Sequence, residues 1–246
     1  MLLEDLFSAI GFLTIFPVKK KDLPFRPQKM IKYFPVVGLL IGIILAFLDL
    51  LFTKKLPIGV VSLIDVFLLV VLTGAIHLDG LADTADGLFS HRDKESVLKI
   101  MKDSRIGTMG ALSVFFVLFL KWLSISNLSG NIRFLGLVVV PALSRGSMGL
   151  ITQFLPYCRE IGLGKEFVKK ISIFDFIYFI GVWIFLLIFL HIVFVQLFLI
   201  FWSVFFFVFL FYKKKLDCIT GDMIGALNEV MEAFLFFALI LSITPP

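Results

Sequence analysis

Long uninterrupted apolar runs dominate this sequence and constrain its fold more than any other feature. About 20 consecutive apolar residues are enough to cross the hydrocarbon core of a bilayer as a helix. The runs that reach or approach this length are residues 34–52, 57–76, 110–126, 134–154, 176–191, 195–212 and 224–244. Hydrophobic residues make up 60% of the chain, against roughly 45–50% in soluble domains. The sequence therefore predicts an all-α, polytopic integral membrane protein with about seven transmembrane helices in a lipid bilayer.

The segments between these runs are too short to form a soluble domain of their own. The longest polar segment is residues 77–109, so residues 1–246 are predicted to form a single membrane-embedded domain. Continuous apolar runs favour helices over barrel strands, which alternate with period two. The N-terminal stretch, residues 1–17, has only about 11 to 12 uninterrupted apolar residues after Asp5. This length favours an interfacial or packed helix over a transmembrane one.

The distribution of positive charge predicts how the chain is oriented in the membrane. Lys and Arg accumulate in cytoplasmic loops, and eighteen of the 23 basic residues fall on one side of the predicted spans. The other side receives Lys54, Lys55, Lys121 and Arg133. The predicted cytoplasmic parts are the N-terminus and residues 18–33, 77–109, 155–175 and 213–223. A multi-pass protein of the cell (inner) membrane is expected, and the net charge of +5 is explained without nucleic acid.

A few isolated residues also carry expectations. Cys158 and Cys218 both fall in predicted cytoplasmic segments, where thiols stay reduced, so no disulfide is expected. Asp49 and Asp65 lie nearer the outer side, where hydration at helix ends or a local hydrogen bond would account for them. A chain of this kind could pack alone or as a homo-oligomer.

The stretch "HLDGLADTADGLF", residues 77–89, places carboxylates beside an apolar span. Wound as a helix, it brings Asp79, Asp83 and Asp86 within an arc of about 60°. The opposite face carries Leu78, Leu81, Ala85 and Leu88. Clustered carboxylates repel one another unless a cation neutralises them, and hard oxygen ligands suit Mg²⁺. The pattern predicts a magnesium site; the alternative is an ordinary solvated acidic face. His77 could bind substrate, act as an acid or base, or simply pack.

The basic stretch that follows, residues 91–110, ends in "RIGTMG" at the start of an apolar run. Arg92 and Arg105 could hold phosphate oxygens, and the backbone N–H groups of "RIGTMG" could bind a phosphate at a helix N-terminus. The alternative is topological charge with turn glycines. Asp93 either joins the metal ligands or holds Arg92 in place.

Charged residues also occur inside two predicted spans. Arg145, in "PALSRGSMG", lies mid-span, where a charge is functional by default. In "CITGDMIGALNEVMEAF", Asp222, Glu229 and Glu232 share one helical face. A helix-start preference explains Asp222 but not the two glutamates. Since these groups gather at one side of the membrane, the pattern favours metal-assisted phosphoryl transfer over solute passage, whose polar groups cluster near the midplane.

Together these motifs resemble the adenosylcobinamide-GDP ribazoletransferase family, the membrane-bound cobalamin synthases. The most specific part is "HLDGLADTADGLF" followed by "RDKESVLKIMKDSRIGTMGAL" (92–112). Further similar segments, in family order, are "FLTIFPV" (12–18), "YFPVVGLLIG" (33–42), "PALSRG" (141–146), "PYCREIGLGKEF" (156–167) and "TGDMIGALNEVMEA" (220–233). Two residues depart from the family pattern: Ile15 stands where a basic residue is expected, and Gly146 where a large aromatic is frequent.

The resemblance implies a magnesium-dependent enzyme that joins adenosylcobinamide-GDP to α-ribazole, or its 5′-phosphate, and releases GMP. Asp79, Asp83 and Asp86 would hold the metal, and one of them or Asp222 would take the hydroxyl proton. Arg105 and Arg145 are candidates for the pyrophosphate oxygens. The remaining candidate substrate-binding residues are His77, Arg92, Glu229 and Glu232. The alternatives are a CDP-alcohol phosphotransferase, whose aspartate pattern is not reproduced here, and a divalent-cation transporter that uses the same carboxylates.

Overall fold

The computed structural model is built from helices, as the apolar runs predict. It describes residues 2–18, 25–160, 163–168, 177, 181, 184 and 194–241. Its α-helices are α1 (Leu2–Leu13), α2 (Pro27–Met30), α3 (Phe34–Phe52), α4 (Ile58–Leu72), α5 (Ile76–Leu88), α6 (Lys94–Ile100), α7 (Thr108–Ser126), α8 (Gly130–Ile151), α9 (Phe194–Lys215) and α10 (Gly221–Leu241). Two 3₁₀ helices are Ile31–Tyr33 and Leu163–Phe167. Within the described residues, strand-like pairing is limited to one bridge between Tyr157 and Ile219, so the all-α prediction is confirmed.

Five helical stretches in the described part of the chain are long and apolar enough to cross a membrane. They are Pro27–Phe52, Thr108–Ser126, Gly130–Ile151, Val195–Lys215 and Gly221–Leu241. Counting α4 and α5 as one broken span gives six. The predicted span 176–191 lies outside the described residues, except for 177, 181 and 184. The chain is a multi-pass membrane protein, but the predicted count of seven is not confirmed.

The predicted span 57–76 ends early, at Leu72, where the chain turns by 88° into α5. Gly74 and Ala75 adopt φ values of 61° and 57°, in the left-handed region that ends helices. The backbone N–H of Ile15 donates to the carbonyl of Leu72 over 2.9 Å, which satisfies a group left free at the helix end. Hydropathy continues through this turn, so it does not reveal the break. The acidic motif therefore begins a new helix.

Close packing of α3 against α8, and of α10 against several helices, forms the core. A methyl group added to Gly38 would overlap the carbonyl oxygen of Pro141, and one added to Gly42 would lie 2.6 Å from that of Leu137. Small residues of this kind let membrane helices approach closely. Helix α10 contacts α5, α7, α8 and α9. It therefore joins the acidic helix α5 to the bundle.

Helix α1 packs against α3, with Ala9 and Leu13 fully buried. Arg26 lies 3.2 Å from Glu4 and 3.7 Å from Asp5, which fixes α1 to the start of α2. The prediction of an N-terminal packed or interfacial helix is thus confirmed as regards the helix and its packing. Its position relative to the membrane surface stays a prediction.

Charged side chains that the sequence placed in water or at helix ends form two buried ion clusters. Arg133 is buried in α8 and lies 2.6 Å from Asp49 and 2.9 Å from Asp65. The expectation that hydration or a local hydrogen bond explains these aspartates was wrong, because both are buried and pair with one arginine from a distant helix. Lys121 is buried likewise, between Glu229 and Glu232. Of the four basic residues assigned to the outer side, Arg133 and Lys121 are therefore inside the bundle.

The expectation of free thiols was also wrong. Cys158 and Cys218 form a disulfide with a Cα–Cα distance of 5.0 Å. The N–H of Cys158 donates to the carbonyl of Ile219, and the N–H of Ile219 donates to that of Pro156, each over 2.8 Å. This backbone pairing aligns the two cysteines, although 60 residues separate them in sequence. The bond ties the segment after α8 to the start of α10.

Candidate functional site

A cavity of about 300 Å³ lies where α1, α3, α5, α8 and α10 meet the segment after α8. It is lined by Phe12, Leu13, Phe34, Ile76, His77, Asp79, Met148, Thr152, Tyr157, Arg159, Gly164, Phe167, Gly221, Asp222, Ile224 and Gly225. The predicted candidates His77, Asp79 and Asp222 thus share one cavity. Four lining residues, Tyr157, Arg159, Gly164 and Phe167, come from the predicted cytoplasmic segment 155–175.

Two glycines let the acidic helix α5 lie close to α10. A methyl group on Gly80 would lie 2.7 Å from the carbonyl oxygen of Asp222, and one on Gly225 would lie 3.2 Å from Cα of His77. A side chain at Gly80 would push the helices apart, and one at Gly225 would require a shift of a few tenths of an ångström. The glycines therefore allow Asp79 of α5 and Asp222 of α10 to line the same cavity.

Arg159 is a site residue that sequence reasoning missed. Its Nη2 donates to Oδ2 of Asp222 over 3.0 Å, while its Nε is buried with no hydrogen-bond partner. The disulfide at the neighbouring Cys158 fixes the backbone there. It is the single arginine in the sequence of loop 155–175. Sequence reasoning overlooked it because the loop's basic residues were explained by membrane topology alone.

Helix α5 has the predicted amphipathic form. Leu78, Leu81, Ala85 and Leu88 are buried. Asp79 is exposed, and Asp83 and Asp86 are partly exposed. Asp79 lines the cavity, and the seven residues from it to Asp86 carry the acidic stripe about 10 Å along the helix. The acidic stripe, Asp79, Asp83 and Asp86, therefore begins at the cavity with Asp79 and continues along α5 outside the cavity lining.

Asp86 accepts hydrogen bonds from backbone N–H groups of "RIGTMG", which were predicted to bind a phosphate. Its carboxylate accepts from the N–H of Gly107 over 2.6 Å and from that of Gly110 over 2.8 Å. It thereby satisfies free donors at the start of α7, and its negative charge suits that end of the helix dipole. Asp86 thus links the end of the acidic stripe to α7.

The carboxylates have the chemistry that magnesium requires, but they do not form a closed coordination shell. Among the described residues, no group of three or more His, Cys, Asp or Glu side chains stands ready to hold an ion. Asp79 and Asp83 lie one helical turn apart on one face, and Asp222 approaches from α10. These oxygen donors fit Mg²⁺, which keeps several waters and uses only one or two carboxylates together with substrate phosphates.

Arg145, Glu229 and Glu232 lie in a buried network between α7, α8 and α10. Nη1 of Arg145 donates to Oε1 of Glu232 over 2.7 Å, and Nζ of Lys121 lies 2.6 Å from both glutamates. His77 reaches the network edge, with Nδ1 3.3 Å from the amide nitrogen of Asn228. Of these residues, His77 alone lines the cavity.

The remaining candidates lie on the exposed segment between α5 and α7. Arg92 is exposed. The guanidinium of Arg105 donates to Asp103 over 2.6 Å, a hydrogen bond that lowers the pKa of Asp103 to about 2. Asp93 accepts from the hydroxyl of Ser96 over 3.3 Å and from its N–H over 2.9 Å, and these hydrogen bonds lower the pKa of Asp93. The structure therefore shows Asp93 as the N-cap of α6.

Comparisons with known proteins agree over nearly the whole chain. A profile of the cobalamin-5-phosphate synthase family matches residues 5–240. An adenosylcobinamide-GDP ribazoletransferase of Alkaliphilus metalliredigens is 37% identical over 96% of this chain and 94% of its own. One from Clostridium novyi is 34% identical over 97% of both chains. One from Escherichia coli is 37% identical over 68% of this chain and 70% of its own. No solved structure matches the chain.

The family match and the full-length relatives agree with the residues that carried the resemblance, from the acidic helix α5 to the start of α10. They identify an enzyme of cobalamin synthesis. The chain belongs to the cobalamin-5-phosphate synthase family and is a transferase of the adenosylcobinamide-GDP ribazoletransferase type.

Proposed function

We propose that the chain joins adenosylcobinamide-GDP to α-ribazole, or its 5′-phosphate, with release of GMP and with magnesium as cofactor. The observation that carries this proposal is the meeting of Asp79, Asp222 and Arg159 in one cavity from which the acidic stripe of α5 continues. The relatives' name supplies the donor substrate. Carboxylates beside a guanidinium suit a reaction in which a phosphoryl group is transferred between two oxygens.

The residues divide into a metal-holding set and a proton acceptor. Asp79 and Asp83 would hold Mg²⁺, with Asp86 at the end of the stripe, and the bound ion would neutralise charge on the phosphoryl oxygens. Asp222 accepts the proton of the attacking ribose hydroxyl. That oxygen forms a bond to the phosphorus attached to cobinamide, the bond from this phosphorus to the GMP oxygen breaks, and GMP leaves with the bonding electrons.

Arginine side chains would pair with the negative charge of the diphosphate that the metal ion leaves unbalanced. Arg159 lines the cavity wall, where its guanidinium would place a positive charge near the diphosphate. Its contact with Asp222 keeps that carboxylate beside the reacting oxygens. Arg105 and Arg92, exposed beyond the stripe, could reach the GDP moiety. Arg145 remains a predicted pyrophosphate ligand, although its guanidinium is bound to Glu232.

The proposed orientation follows the positive-inside rule, with the N-terminus and the active site on the cytoplasmic side of the cell membrane. In this orientation the Cys158–Cys218 disulfide is an exception to the rule that cytoplasmic thiols stay reduced. Basic residues cluster on this side of the bundle, such as Lys213, Lys214 and Lys215 at the end of α9, which packs against α10. Removing Lys121 and Arg133 from the outer side strengthens this charge asymmetry. Labelling of single cysteines introduced at exposed Lys54 and Lys213 in intact cells would test the orientation.

The experiment is turnover by purified protein given adenosylcobinamide-GDP, α-ribazole and magnesium. We expect equimolar GMP and cobalamin, with activity abolished by EDTA and restored by Mg²⁺. Absence of both products would refute the proposal. CMP release from a CDP-alcohol would instead indicate the phospholipid-synthase alternative, and metal flux in proteoliposomes without turnover would indicate a transporter.

A further inference from the structure

One wall of the cavity is formed by aromatic rings. The ring of Phe167 lies 5.0 Å from that of Phe12 and 5.8 Å from that of Phe34, measured between centroids. These separations are typical of interacting aromatic pairs. Phe34 and Phe167 are 3% and 4% exposed, so their rings are sheltered within the protein rather than presented to lipid. This wall comes from α1, the start of α3 and the 3₁₀ helix Leu163–Phe167.

The wall formed by α5 and α10 has the opposite character. Asp79 and Asp222 supply carboxylate oxygens, and Arg159 bridges from the segment after α8 to Asp222. A molecule that fills this cavity must therefore combine a flat apolar part with hydroxyl groups that can donate to carboxylates. A nucleoside has this composition, since its base is aromatic and its ribose carries the hydroxyls.

The size of the cavity decides between the two substrates. Ligand pockets usually occupy about 300–1,000 Å³, and this one, at about 300 Å³, lies at the lower end. It has room for one nucleoside but not for a corrinoid that carries a nucleoside diphosphate. The larger substrate must lie outside, where the stripe continues from Asp79 to Asp83 and Asp86.

We propose that this cavity is the binding site of the acceptor nucleoside, with the aromatic base of α-ribazole against Phe12, Phe34 and Phe167. Its ribose then faces Asp79 and Asp222, where the hydroxyl attacks. This assignment rests on the proposed function for the identity of the nucleoside. It gives α1 a direct role, because Phe12 and Leu13 of that helix line the site.

The test compares binding and kinetics of two ring-removing variants with those of a matched control. Phe12→Ala removes a ring from the aromatic wall, while Phe12→Leu keeps much of the packing volume without an aromatic face. Phe207→Ala, on α9, removes a ring that is 73% exposed and outside the cavity lining. Direct binding of α-ribazole to detergent-solubilised protein is measured by calorimetry, and the KM of each substrate is measured separately.

We expect Phe12→Ala and Phe12→Leu to weaken α-ribazole binding and raise its KM about tenfold, a factor that corresponds to about 1.4 kcal/mol. The KM for adenosylcobinamide-GDP should stay within twofold, and Phe207→Ala should match the wild type. If the KM for adenosylcobinamide-GDP rises instead, or both rise equally, the assignment is overturned.

Direct binding separates failure of this inference from failure of the proposed reaction. If the protein shows no turnover but binds α-ribazole, and both Phe12 variants weaken that binding, the reaction is wrong and the nucleoside site stands. If turnover occurs but both variants bind α-ribazole like the wild type, the site is wrong and the reaction stands. Unchanged melting temperature of Phe12→Leu shows that the weakened binding reflects the lost ring rather than unfolding.

Discussion

Lys121→Met is expected to destabilise the protein strongly, because Lys121 pairs with two buried carboxylates and is one of the two cations that balance them. Its Nζ lies 2.6 Å from Oε2 of Glu229 and 2.6 Å from Oε2 of Glu232, and its side chain is 2% exposed. Methionine keeps the length and the packing of the aliphatic stem but removes the charge. The expected loss of stability therefore comes from the missing positive charge and not from lost packing.

The two glutamates differ in what they keep after this substitution. Glu232 retains Arg145 at 2.7 Å and the hydroxyl of Ser144 at 3.2 Å. Within the described residues, Glu229 retains a hydrogen bond from the side-chain amide of Asn228, at 3.2 Å, and His77 at 4.0 Å. The uncompensated charge is thus mainly that of Glu229. Leaving one partner of a buried pair unpaired costs about 3–5 kcal/mol, and we expect a decrease of this size in the free energy of unfolding.

The measurement is unfolding by SDS titration in mixed micelles, followed by tryptophan fluorescence and circular dichroism. Lys54→Met, at an exposed position, is the control and should change the free energy of unfolding by less than about 0.5 kcal/mol. Lys121→Met/Glu229→Gln should recover more than half of the loss, because the orphan charge is gone. A loss below about 1 kcal/mol, or no recovery in the double variant, would refute the reasoning.

Three further predictions concern the acidic stripe and the disulfide. Asp83→Asn should lower turnover by orders of magnitude without preventing membrane insertion, whereas Leu81→Ala should mainly lower the melting temperature; wild-type magnesium dependence in the Asp83 variant would remove this residue from the ligands. Asp86→Ala should lower the free energy of unfolding by about 0.5–2 kcal/mol, since a helix cap is lost, and an unchanged melting curve would contradict the capping role. Protein purified without reductant should gain two maleimide-reactive thiols, those of Cys158 and Cys218, after dithiothreitol; full labelling before reduction would show that the bond is absent.

The sequence was sufficient to predict features that depend on local periodicity. The helical period alone placed Asp79, Asp83 and Asp86 on one face and Leu81 on the buried face. The lengths of the apolar runs likewise located α3, α7, α8, α9 and α10 to within a few residues. In each case the information lies within one turn or one span, so no knowledge of distant contacts is required.

Features that depend on pairing between distant helices could not be predicted in this way. Lys121 and Arg133 were assigned to an aqueous side because a charge near the end of an apolar run is ordinarily hydrated. Their carboxylate partners lie on other helices, and hydropathy cannot show which charges meet. The same holds for Arg159, which becomes notable only when Asp222 is brought beside it. Asp86 was predicted as a metal ligand, but its contact with the start of α7 depends on how the loop between them folds.

The turn at Gly74 and Ala75 explains how a strongly acidic segment can be part of an apolar bundle. Had α4 continued straight, the apolar face of α5 would project away from α7 and α10, and its leucines would have no protein surface to cover. Folding the chain back through 88° lays those leucines on the bundle and leaves the aspartates along its rim. One abrupt corner therefore puts a row of carboxylates at the edge of an otherwise apolar bundle, where charged molecules can reach them.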